Sequence, residues 1–159
     1  MHLFLRDTRA MTNLLRAILL GGLSCAVLDA TAATIDFGMR GVSFTRVWQG
    51  VASGLLGSAS FQYGAASAAL GLFCHVLIAM VAASVFNLAI RYLPSLIKYY
   101  LLSAALYGVT VYCFMNLAVI PLSALPKRPF SLSGAIKQII IHIFCVGLPI
   151  ALAARRYLK

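Results

Sequence analysis

No Asp, Glu, Lys or Arg occurs from about Ala65 to Ile90, nor between Lys98 and Lys127. Each run is long enough to cross the hydrocarbon core of a bilayer as a helix, which takes roughly 20 apolar residues at 1.5 Å each. A third run, AILLGGLSCAVLDATAATI, lies between Arg16 and Asp36 and is interrupted only by Asp29. A fourth begins near Leu132 and ends before Arg155 and Arg156, with Lys137 close to its start, where a long side chain can reach the interface. Four such runs in 159 residues leave room for little but helices in lipid. The chain is 62% hydrophobic and 10% charged, against about 25% charged in an ordinary soluble domain.

The expected fold is an all-α membrane protein: one domain over residues 1–159, an up-down bundle of four spans at about 15–36, 65–91, 98–124 and 133–154. Two of the links are short. RYLPSLIK reads as a tight turn, and LPKRP, with Pro on both sides of a basic pair, as a firm helix break. The longest link, Phe37 to Tyr63, contains FTRVWQGVASGLL, whose apolar residues Phe44, Val47, Trp48, Val51, Ala52 and Leu55 fall on one helical face. At this length it cannot span. It reads as an amphipathic helix over about 44–56, lying on or dipping into the outer interface with Trp48 as an anchor, or as a lid across the bundle mouth.

Net charge is +10, which raises the question of nucleic acid. The cations do not form a patch or stripe; they sit at the ends of the apolar runs, so no nucleic-acid partner is expected. Arg6, Arg9, Arg16, Arg91, Lys98, Arg155, Arg156 and Lys159 fall on one side of the four spans, and Arg40, Arg46, Lys127, Arg128 and Lys137 on the other. Eight against five places both termini in the cytoplasm. A basic start, the run Ala17–Leu28 and Ala30-Thr31-Ala32 also resemble a leader cleaved near residue 32, which would leave three spans. The apolar stretch continues to Ile35 and Asp29 interrupts the cleavage motif, so an uncleaved first span is the expectation.

Polar residues at bilayer depth are the candidates for chemistry: Asp29, His75, Asn116 and His142, one on each span. All four fall at a similar depth, roughly 8–16 Å below the outer surface. Cys25 and Asp29, Cys113 and Asn116, and His142 and Cys145 are spaced to share helical faces, which favours convergence. Tyr112, four residues before Asn116, adds a hydroxyl to that face. A carboxylate and two imidazoles suit a proton relay or ion-coordination point in a small transport or channel component. Paired across the bundle, His75 and His142 would suit axial ligation of a b-type haem, with Gly71 and Gly147 leaving room for the macrocycle. Adjacent Cys and His would suit a divalent metal, though no HxxxH or CxxC spacing occurs, so no cofactor is predicted outright. The plain alternative is that the four side chains hydrogen-bond between helices and fix packing. The partners expected are the lipid bilayer and, beyond it, a second copy or a larger membrane complex in which this chain is a structural or assembly subunit. No nucleophile or acid stands beside the outer basic residues except Asp36 and some Ser, so an enzyme is not the expectation.

RVWQGVASGLLGSASFQYGAASAALGLFCHVLIAMVAA, YGVTVYCFMNLAVIPLSALP and IHIFCVGLPIALAARR together cover most of the chain after residue 40. In these stretches the chain resembles a family of small bacterial four-helix inner-membrane proteins to which no activity is assigned. That resemblance implies a bacterial inner-membrane location. It draws attention to Ser53, Gly54, Gly57, Gly71, His75, Asn116, Pro121, His142 and Gly147, which lie inside the three stretches.

Overall fold

The computed structural model describes residues 2–125 and 131–159, with residues 2–8 described by backbone alone. The described residues are all-helical, with no strand. Helix α1 runs His2–Gly38, α2 Phe44–Leu56, α3 Gly64–Ala89 and the short α4 Ser95–Lys98. Helix α5 covers Tyr100–Leu122 and α6 Leu132–Tyr157. Four segments are long and apolar enough to cross a membrane: Arg9–Gly38 of α1, and α3, α5 and α6. The RYLPSLIK link contains a helical turn, α4, rather than a bare turn. The LPKRP link lies, apart from Leu125, outside the described residues.

Small residues set the packing. The central cluster is built from Cys25, Ala26, Ala79, Ala83, Ala104, Val146, Ala151 and Ala154, with Phe86, Ile90 and Ile150 as its large members. In lipid, apolar side chains gain little by leaving their surroundings, so helices associate where small residues let backbones come close. Gly22 lies against Met80 and Ala83, and Ala26 against His75, so α1 and α3 run in opposite directions. Gly21 meets Ile150 and Ala153 of α6, while Gly108 and Ala104 of α5 meet His142 and Gly147 of α6. The order of neighbours is thus α3, α1, α6, α5. Tyr107 closes the set, donating its hydroxyl to the Ala82 carbonyl at 2.6 Å and packing on Phe86 at 4.9 Å between ring centroids.

Both α5 and α6 contain one wide turn, over Met115–Val119 and His142–Gly147, in which the hydrogen bonds skip to the fifth residue. Pro121 and Pro149 follow each of them. Proline lacks the N–H that a regular turn would supply, and the widened turn absorbs the mismatch.

Helix α2 starts at Ser43, whose hydroxyl accepts from the Arg46 N–H at 3.4 Å. Val47, Trp48 and Ala52 are buried as the spacing predicts, but Phe44 and Leu55 at the ends of that face are exposed. Gln49 and Ser53 are buried instead. Gln49 donates to the Gly64 carbonyl at 3.0 Å, Ser60 to the Gln49 carbonyl at 3.0 Å and Ser67 to the Ser60 carbonyl at 2.5 Å. This network fastens α2 and the 3₁₀ turn Gly57–Gln62 to the start of α3. It supplies what a helix containing Gly50 and Gly54 lacks on its own.

Candidate functional site

Asp29 lies four residues beyond the buried Cys25 and three beyond the buried Ala26, on the face of α1 turned toward the core. His75 is four residues beyond Gly71 and four before Ala79, both buried, on the matching face of α3. The structure brings these two together. His75 Nε2 lies 3.0 Å from the Ala26 carbonyl, which can only accept, so Nε2 carries the proton. The other ring nitrogen, Nδ1, faces Asp29 Oδ2 at 4.0 Å, too long for a direct hydrogen bond. Both side chains are mostly enclosed, 15% and 20% exposed. The arrangement holds one imidazole face by a fixed acceptor and leaves the other facing a carboxylate. That is the geometry in which a proton can be taken up at Nδ1 and its charge balanced at once.

Trp48 forms the third wall. Its ring stands edge-on to His75 at 5.2 Å between centroids, and its side chain is 1% exposed. Trp48, expected as an interfacial anchor, is buried inside the protein. Gly71 is the reason: a Cβ at that position would run into the Trp48 carbonyl, so only glycine lets the α2 backbone lie against α3. Beside this site a groove of about 240 Å³ is lined by Ala30, Thr31, Thr34, Phe44, Trp48 and Leu72. It runs from the neighbours of Asp29 toward the end of α1.

Asn116 and His142 are not part of this cluster. Asn116 is exposed, and its Nδ2 donates to the Tyr112 carbonyl of its own helix at 2.9 Å. His142 Nδ1 pairs with the Gln138 carbonyl at 2.8 Å, and its ring meets Tyr112 at 5.7 Å between centroids. The four polar residues therefore form one cross-helix pair and two separate groups, rather than one layer. The space invoked for a haem is also taken: Gly71 receives the Trp48 backbone and Gly147 the Ala104 backbone. Among the described residues, no three His, Cys, Asp or Glu side chains are placed to hold a metal ion.

A second polar cluster escaped the sequence reading. Asp36, at the end of α1, accepts from Arg40 at 2.9 Å and from Lys137 of α6. Lys137 thus ties α6 to α1. The one signal for this pairing was the scarcity of acids, since Asp36 is one of only three. Comparison with family models, with curated proteins and with solved structures returned no match to this chain.

Proposed function

We propose that this chain is a small transport component of the bacterial inner membrane that takes up and releases protons at the Asp29–His75 pair. The observation that carries this reading is an imidazole and a carboxylate from two different apolar helices, facing each other at 4.0 Å. Ionisable groups at such depth are costly in lipid and mark ion or proton pathways in membrane helices. A mostly apolar groove, with Thr31 and Thr34 in its lining, lies beside the pair toward the end of α1 marked by Asp36.

In this reading α1, α3, α5 and α6 form an up-down bundle with both termini in the cytoplasm. The basic residues Lys98 and Arg155 support that orientation, lying over Tyr99 and Tyr100 at 5.2 and 4.0 Å in the manner of an interfacial belt. Helix α2 enters from the outer side and dips into the bilayer. Its contact with His75, about 16 Å along α3 from Gly64, favours dipping over lying flat.

The test is proton flux into vesicles containing the purified protein, driven by a potassium diffusion potential and followed with an entrapped pH dye. Wild-type protein should acidify the lumen, and Asp29→Asn and His75→Gln should abolish the signal while incorporating normally. Wild-type flux in both variants would rule out the pair as the proton site.

A further inference from the structure

We infer that α5 is the seam along which two copies of this chain associate, joined through Asn116. Helix α5 is the least enclosed of the four apolar helices: 6% of its most apolar 18 residues are buried, against 22% in each of the others. Its polar side chains are otherwise occupied. Ser103 is buried, Tyr107 donates to Ala82, Thr110 donates to the Leu106 carbonyl at 2.8 Å, and Tyr112 packs on His142. Among the described polar side chains of this helix, Asn116 alone is exposed with a donor unused. One amide hydrogen goes to Tyr112; the second hydrogen and Oδ1 meet no partner among the described residues.

The position makes this matter. Asn116 lies six residues before Leu122, so about 9 Å inside the end of an apolar helix. Around it the surface is Leu117, 79% exposed, and Ile120, 37% exposed. The second amide hydrogen and Oδ1, held in hydrocarbon without partners, carry a desolvation cost that lipid tails cannot relieve. The occupant that relieves it has to offer a donor and an acceptor at one point, within an apolar surface. A second Asn116 does so. The amide is self-complementary, and across a two-fold axis the two copies exchange a pair of N–H···O bonds with no other residue required. Polar side chains at such contacts hold transmembrane helices together.

The experiment is Förster transfer between donor- and acceptor-labelled copies of the full chain, labelled at the C-terminus, in phosphatidylcholine vesicles over a series of protein-to-lipid ratios. Wild type should show a dimerisation isotherm. Asn116→Leu should weaken association by on the order of eightfold, the effect of losing two interhelical hydrogen bonds. Thr110→Val, whose hydroxyl serves its own helix, should leave the isotherm in place. A wild type that is monomeric at every ratio overturns the proposal, as does Asn116→Leu associating like wild type or an assembly larger than two that survives it. Leu117→Cys supplies a readout that leaves Asn116 intact: mild oxidation in the membrane should yield a cross-linked dimer in excess of that from Phe73→Cys on α3. Equal yields would overturn it too.

Discussion

Gly108 offers a sharp test of how the helices are held. A Cβ built there would lie 2.6 Å from the His142 carbonyl oxygen, 2.7 Å from Ile143 Cα and 2.8 Å from the His142 carbonyl carbon, where ordinary contact begins at 3.4 Å. All three atoms are backbone, so no rotamer change can make room. Gly108→Ala therefore forces α5 and α6 apart by about 0.7 Å locally, and a gap of that size forfeits a quarter to a half of the attraction of each contacting pair. Overpacking of this kind costs 1–3 kcal/mol, and backbone on both sides puts it near about 3. Helix propensity returns about 1 kcal/mol. The net loss is about 2 kcal/mol, roughly a 30-fold drop in the folded-to-unfolded ratio. Two matched variants calibrate the result. Gly50→Ala in α2 meets nothing within 4 Å and should gain up to about 1 kcal/mol. Gly22→Ala meets chiefly the mobile Met80 sulfur and should fall between them. Equilibrium unfolding in mixed micelles titrated with sodium dodecyl sulfate measures all three. If Gly108→Ala is as stable as Gly50→Ala, close backbone contact does not hold α5 to α6 and the reasoning fails.

Other expectations follow from single contacts. Tyr107→Phe keeps the ring on Phe86 and loses only the bond to Ala82, so it should cost about 1 kcal/mol in the same unfolding assay. Asp36→Asn leaves Arg40 and Lys137 without their shared acid; both cations are about half exposed, so the loss should stay near or below about 1 kcal/mol and shrink in 0.5 M salt. Trp48 is the only tryptophan and its ring touches His75, so its emission should report imidazole protonation: quenching should track pH in wild type, change its profile in Asp29→Asn and vanish in His75→Gln. A pH-independent emission in wild type would mean that His75 does not titrate beside it.

The helical class and the four long apolar helices were legible because uninterrupted apolar composition admits few other structures. The helix at Phe44–Leu56 was legible from spacing, since it alone has a polar side of any width. Which faces of the long helices turn inward was much less so. In α3, Phe73, Leu77 and Val81 are exposed while Ala79 and Ala83 are buried, so hydrophobicity gives no direction. Size does: the line Ala68, Gly71, Ala79 and Ala83 marks the packed face and carries His75 on it, as Gly22, Cys25 and Ala26 do for Asp29. Asn116 and His142 do not join Asp29 and His75, and both lie in the wide turns. The pairs Cys113–Asn116 and His142–Cys145 run into or lie within the wide turns, where residues three apart no longer sit one above the other. No local pattern announces such a turn except a proline shortly after it, here Pro121 and Pro149. The contact between Trp48 and His75 depends on how a loop folds back, which periodicity does not encode.

Most intramembrane polar side chains here serve their own helix. Ser84, Asn87, Thr110 and Asn116 each donate to the carbonyl four residues earlier. Such bonds need no neighbour and so imply no function. The bonds that cross between helices are the informative ones, and Tyr107 to Ala82 and Lys137 to Asp36 are explained by joining the helices they join. His75 would equally be explained by its bond to Ala26 if it stood alone. Asp29 is what packing leaves over. Among the described residues its carboxylate accepts no hydrogen bond, and an ionised group inside an apolar helix is a cost rather than a contact. Stability and activity should therefore separate at this residue. Asp29→Asn keeps the shape, removes the charge, and should leave the unfolding free energy equal to wild type or up to about 1 kcal/mol higher, while proton flux is lost. If instead Asp29→Asn unfolds more easily by 1 kcal/mol or more, the carboxylate is a structural partner of His75, and the pair belongs with the packing bonds.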